Sequence, residues 1–133
     1  MIKIFKYPLM IFAMILWSCT DKDDNIDDNL ASLWELNEVL SDPGDGSGTF
    51  HEVDSDKYLK FFEDGTLQSN YSLCELYEME AGIFTTTYDA DASVINLPGD
   101  ECGNFLQYEI KEGELYLYYP CFEACAEKYE RVR

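Results

Sequence analysis

KYLKFFEDGTLQSNY, the stretch from Lys57 to Tyr71, decides the fold. Leu59 and Phe61 share one side of an alternating run that ends at Phe62. Leu67, Ser69 and Tyr71 continue the alternation after Glu63-Asp64-Gly65-Thr66. Asp-Gly between two alternating stretches is a strong hairpin signal, because tight turns require positive φ and glycine adopts it without steric strain. Outward from this hairpin the same period of two recurs. Ile83 to Tyr88 (IFTTTY) is β-branched and aromatic, which suits a pleated surface. Val94 to Leu97 is a short run ending at Pro98-Gly99, and Leu106, Tyr108 and Ile110 alternate with polar neighbours. Glu112-Gly113 turns into Leu115 to Tyr119, and a last strand is expected over Lys128 to Val132. Strand-like runs at intervals of about 8 to 12 residues, with turn residues between, predict a sandwich or barrel. The segment from Asn29 to Leu40 fits two patterns. Leu30, Leu33, Leu36 and Leu40 make a helical stripe, while Trp34, Leu36 and Glu38 alternate as in a strand.

The chain has 133 residues, 47% hydrophobic and 15% aromatic, enough for one packed domain. Acidic residues number 27 against 9 basic ones, a net charge of −18. Such a surface opposes binding to nucleic acid, whose phosphates need Lys and Arg to replace counterions. It equally opposes electrostatic adsorption to anionic lipid. No nucleic-acid partner is expected, and a self-repelling, monomeric domain is.

The first residues fall into three parts. Lys3 and Lys6 precede a run of nine apolar or small residues, Leu9 to Trp17, which ends at Ser18 and Cys19. This is the layout of a secretory signal, and it is shorter than the roughly 20 residues a membrane-spanning helix needs. Leu16-Trp17-Ser18-Cys19 resembles the lipobox of bacterial lipoproteins. That resemblance implies a signal peptide over residues 1–18, cleavage before Cys19, and a lipid on the Cys19 thiol. Two or more acyl chains give stable anchoring. The alternative is an ordinary cleaved signal with Cys19 in a disulfide. Asp21 to Asp28 (DKDDNIDD) is polar and aperiodic, so residues 19–29 read as an acidic tether before a domain over residues 30–133. Lys22-Asp23-Asp24 is similar to the signal that sends lipoproteins of Bacteroidota to the outer face of the outer membrane.

With Cys19 lipidated, Cys74, Cys102, Cys121 and Cys125 remain, an even number in an oxidising compartment. Three pairings are possible. Cys121 and Cys125 share one short connection, and Cys74 and Cys102 each follow a strand-like run, which favours 74 with 102 and 121 with 125. Zinc is the rival reading, opposed by a single histidine and the absence of a CxxC pair.

Leu33-Trp34-Glu35-Leu36 at the start of a small β domain, followed by LKFFEDGT over residues 59–66, resembles the lipocalin-like domains of small bacterial lipoproteins. The stretches from Asp42 to Phe50 and from Cys121 to Tyr129 are similar to that group as well. The sequence departs from it where Ser32 and Leu33 replace the glycine usually placed before the tryptophan. The resemblance covers about residues 30 to 133 and implies an antiparallel lipocalin-like β-barrel of about eight strands.

Chemistry is sparse. His51 is the single histidine and lies in a polar stretch, so no nucleophile has an evident base. No P-loop, dinucleotide fingerprint or HExxH motif occurs. The run DPGDGSG over residues 42–48 has the oxygen and glycine content of a calcium loop. Gly44 and Gly46 occupy ligand positions and Val53 stands where a closing glutamate belongs, so a flexible loop is the default. No enzyme, cofactor or metal is expected. Two functions remain. In the first, the barrel holds a small apolar or amphipathic ligand, lined by Trp34, Phe61, Tyr108 and Tyr118. In the second, a filled barrel presents loops such as 42–50 to another envelope protein, or serves as an accessory or inhibitory subunit of a secreted enzyme. Interior volume separates the two.

Overall fold

The computed structural model describes residues 29–78, 80–99 and 103–133. The expected signal peptide (1–18), Cys19, nearly all of the tether and Cys102 lie outside them. Nine strands follow in chain order: β1 (Leu33–Ser41), β2 (Phe50–Glu52), β3 (Tyr58–Phe61), β4 (Thr66–Tyr71), β5 (Ala81–Asp89), β6 (Val94–Asn96), β7 (Phe105–Lys111), β8 (Glu114–Tyr118) and β9 (Cys125–Arg131). No helix occurs among the described residues. Each strand pairs antiparallel with its neighbour, and β9 returns to β1 to close the sheet. Both β2 and β3 pair with the same edge of β1, at Glu38–Leu40 and Leu33–Glu35. They form one interrupted stave, so the barrel has eight staves, the lipocalin-like architecture expected. Closure of β9 on β1 removes the edges those two strands would otherwise offer to another chain.

The expected turns set the hairpins. Phe62 N–H donates to the Thr66 carbonyl, and the Asp64 carboxylate accepts from the Thr66 amide and hydroxyl. Gly65, at φ +84°, occupies the position that glycine alone adopts freely. Glu112 and Gly113 both have positive φ, as a two-residue turn matched to strand twist requires.

The ambiguous segment resolves as strand, with Trp34 and Leu36 facing inward. A bulge between Leu36 and Glu38 then shifts the phase. Val39 takes the next interior position, and Glu38 turns outward to meet Lys128 at 2.5 Å. β2 is an addition to the expected strands, three residues at the end of the glycine-rich run. A second bulge lies between Ser69 and Tyr71. There the Asn70 side chain replaces the ladder, accepting from Tyr58 N–H and donating to the Asp56 carbonyl.

The interior is packed. Trp34, Leu59, Leu67, Ile95, Leu115 and Leu117 have no exposure. The Trp34 indole N–H donates to the Leu30 carbonyl at 3.0 Å, and the Arg131 guanidinium lies 4.8 Å from the ring centre. These contacts hold the entering chain against the end of the barrel that carries the 62–65, 90–93 and 112–113 turns. The connections over 42–49 and 119–124, and the segment 72–78, lie at the opposite end. Inward and outward positions alternate strictly along β8. Leu117→Ala is therefore expected to destabilise the domain by about 2–5 kcal/mol. Its neighbour substitution Tyr118→Ala should cost no more than about 1 kcal/mol. Urea-unfolding midpoints of the two variants measure this, and equal losses would contradict the assigned strand faces.

Candidate functional site

Alternation along β3 extends inward one step before its first residue: Lys57 shares the face of Leu59 and Phe61. On β9, Glu127 lies between Cys125 and Tyr129 on the same inner face. Two opposite charges are thereby placed inside a barrel of apolar side chains, and both are fully buried. Their Nζ–Oε1 separation is 2.7 Å. Glu127 takes four hydrogen bonds. Lys57 Nζ and the Tyr77 amide reach Oε1 at 2.7 and 2.6 Å. The Tyr119 and Tyr129 hydroxyls reach Oε2 at 2.8 and 2.6 Å. Lys57 donates further to the Tyr77 carbonyl at 2.9 Å and to the Tyr119 hydroxyl at 3.4 Å. Three ammonium protons meet three acceptors, and two carboxylate oxygens meet four donors. The cluster is saturated from within, as buried polar groups must be.

The pair also organises the chain around it. Both backbone polar groups of Tyr77 end on it, fastening the segment 72–78 to the barrel mouth, where Leu73 is buried and Leu76 packs on the core. Tyr77 holds a positive φ of 67°, a conformation costly for a bulky residue and maintained here by those two bonds. The hydroxyl of Ser55 donates to Glu78 beside it.

Burial pushes the Tyr119 and Tyr129 phenols well above their ordinary 10.0, with the Glu127 charge adding to it. Burial likewise raises Tyr108 to about 12. Burial pulls the Lys57 ammonium below its ordinary 10.5, against the opposing attraction of Glu127.

Of the residues expected to line a ligand cavity, Trp34, Phe61 and Tyr108 share the interior. Phe61 meets Tyr88 edge-on at 5.0 Å and Tyr108 at 6.0 Å, so these rings pack on one another. Tyr118 does not join them. It is 40% exposed on the outer face, and its hydroxyl donates to Glu109. Leu115 and Leu117 take the interior positions of β8, so Tyr118, one residue out of phase with them, must face solvent.

A shallow cleft of about 180 Å³ opens over the β1–β9 seam, bordered by Glu35, Asn37, Ser55 and Glu130. Its polar lining does not match an apolar ligand. Half-buried Phe84, Thr86 and Tyr88 occupy the inward positions of β5 and form the loosest part of the wall.

Cys121 and Cys125 form the expected disulfide. Cys74 is disulfide-bonded too, and Cys102, the partner expected for it, lies outside the described residues. The Asp42 carboxylate accepts backbone N–H groups from Gly44, Asp45, Gly46 and Gly48. It therefore braces its own loop, as an Asx turn does. His51 is exposed on β2.

Composition and alternation alone do not single out the Lys57–Glu127 cluster. The signal was present, because each residue sits two positions from an apolar interior neighbour and their charges are complementary. No protein-family model and no curated protein matches this chain.

Two outcomes follow. Lys57→Met or Glu127→Leu alone strands a buried charge and should cost about 3–5 kcal/mol, while the double variant should lose clearly less than the sum. Additive losses in denaturation would mean that the pair is not coupled. The tyrosines set the alkaline limit. Their folded-state pKa values are raised, so their contribution is complete below pH 10 and is lost as pH rises through the raised values. Lys57, with its pKa lowered, acts in the opposite sense: its contribution is complete above 10.5 and is lost as pH falls below that value. Three tyrosines outweigh one lysine, so unfolding midpoints should fall steadily above pH 10. A flat profile to pH 12 would refute this.

Proposed function

We propose that this chain is a non-enzymatic envelope lipoprotein, anchored by lipid on Cys19 and displayed at the outer face of the outer membrane, whose barrel acts through its outer surface on another protein. The observation that carries the surface role is the packed interior. Trp34, Leu59, Leu67, Ile95, Leu115 and Leu117 have no exposure, and a barrel of eight staves has room for its own side chains or a small ligand, not both. The leader, the lipobox-like run and the acidic tether support the address. The described chain enters the barrel at the 62–65 turn end. A lipid-anchored domain with a self-satisfied core retains its outer wall and loops for recognition.

A second reading rests on β5. Its inward Phe84, Thr86 and Tyr88 are only half-buried. A small apolar molecule entering beside them would make the domain a carrier, as the resemblance to lipocalin-like lipoproteins implies.

Native mass spectrometry of the full protein, extracted from its own host in mild detergent, distinguishes the two. The expected species starts at an acylated Cys19 and is bound to a second polypeptide without a small-molecule adduct. A co-purifying apolar molecule in place of a protein would overturn the surface reading in favour of the carrier. Metabolic labelling with an alkyne fatty acid tests the anchor: label is expected on the wild type and lost in Cys19→Ser. An unlabelled wild type would remove the lipoprotein assignment.

A further inference from the structure

The outward positions of neighbouring staves fall into register rows. One row runs Phe50, Leu40, Ala126, Tyr118 across β2, β1, β9 and β8. It is apolar throughout and lies on the solvent side of the wall. The Phe50 and Tyr116 rings meet edge-on at 5.7 Å, and Ala126 is almost completely buried between the larger residues of the row. Phe105 lies two residues before the cross-strand partner of Tyr118 and is 50% exposed. Beyond the strand ends, Phe122 projects fully into solvent from the loop closed by the Cys121–Cys125 disulfide. The loop is also fastened to the wall, since Asp42 N–H donates to the Ala124 carbonyl at 3.0 Å.

The next row has the opposite character. Glu52, Glu38, Lys128, Tyr116 and Glu109 stand in register, with Lys128 bonded to Glu38. Three carboxylates thus border the apolar row on one side. Glu123 flanks Phe122 on the loop, and its carboxylate approaches Gly44 of the acidic 42–48 run.

We infer that this wall, centred on Tyr118 and Phe122, is the docking face for a protein whose own contact surface has an apolar centre rimmed by Arg or Lys. The inference rests on the surface-acting role proposed above and names its face and partner chemistry. A row of apolar side chains on the outer wall of a chain of net charge −18 marks an interaction surface, and exposed aromatics are frequent anchors of binding energy. Phe122 on a disulfide-braced loop loses little conformational freedom on binding. The acidic border selects a basic rim by complementarity and opposes a second copy of this chain, whose Glu38, Glu52 and Glu109 would confront these.

The test places a photo-crosslinking amino acid at position 118, 122 or 83 of the full chain in its own host. Ile83 is an exposed control on β5. The expected result is one protein captured from 118 and 122 and not from 83. That partner, purified, should bind wild type at least about tenfold more tightly than the Tyr118→Ala/Phe122→Ala double variant. Binding should weaken further between about 0.1 and 0.5 M salt. Both residues are exposed, so the double variant should keep the wild-type circular dichroism spectrum. Capture from 83 alone would refute this face while leaving a surface role intact, and capture of a second copy of the chain would refute the partner class. Unchanged affinity in the double variant would refute the anchors. No captured protein at any position would overturn the surface role itself.

Discussion

The ion pair between Lys57 and Glu127 is the constraint on which the rest of the structure depends. Removing two charges from water is unfavourable by several kcal/mol per ion, and attraction offsets that only when the remaining donors and acceptors are also satisfied. Here that requirement reaches into four separate parts of the chain. Glu127 comes from β9, Lys57 from the step between β2 and β3, Tyr119 from the end of β8, and Tyr77 from the segment that crosses the mouth. None of them can shift register without stranding a charge. An apolar core tolerates sliding and repacking better than a saturated polar cluster does, so the pair selects one closure of the barrel among several that hydrophobic burial alone permits.

The same requirement explains which parts of the molecule were legible in its sequence. Turn chemistry and period-two alternation are local, and they located the hairpin at Asp64-Gly65, the turn at Glu112-Gly113 and the staves on either side of each. The stretch before Leu40 fits two periods because its leucines recur at spacings common to both, and pairing with β3 and β9 decides it. The bulge at Asn37 could not be read, since nothing local distinguishes a phase shift from a continuing strand. A strict alternation would have put Glu38 inside and left Val39 in water. β2 escaped notice because three residues after a glycine-rich run carry no period at all. The polar cluster escaped for a different reason: alternation rules assign charged residues outward by default, and Lys57 and Glu127 obey the position while violating the polarity. Such violations are where a sequence conflicts with its own pattern, and a satisfied partner across the fold resolves the conflict.

Tyr118 shows the limit of composition as a guide to a cavity. β8 carries apolar residues on both faces, which is compatible with an interior lining or with a covered exterior. The structure assigns Leu115 and Leu117 to the core and both Tyr116 and Tyr118 to the outside. An aromatic strand therefore does not imply an aromatic cavity. What it implies is a wall with apolar side chains on both faces, packed on the inner one.

The two faces are linked by size. A barrel of about a hundred residues buries a modest share of its surface, so each interior position must contribute to stability. A ligand cavity beside Lys57 and Glu127 would withdraw packing from the residues that hold the pair in register, or admit water to a cluster whose hydrogen bonds are already complete. Filling the interior with its own side chains is the stable solution. The apolar row from Phe50 to Tyr118 is then not a defect of an otherwise acidic surface. It is a row of apolar side chains on the outer side of strands whose inner faces the core packs.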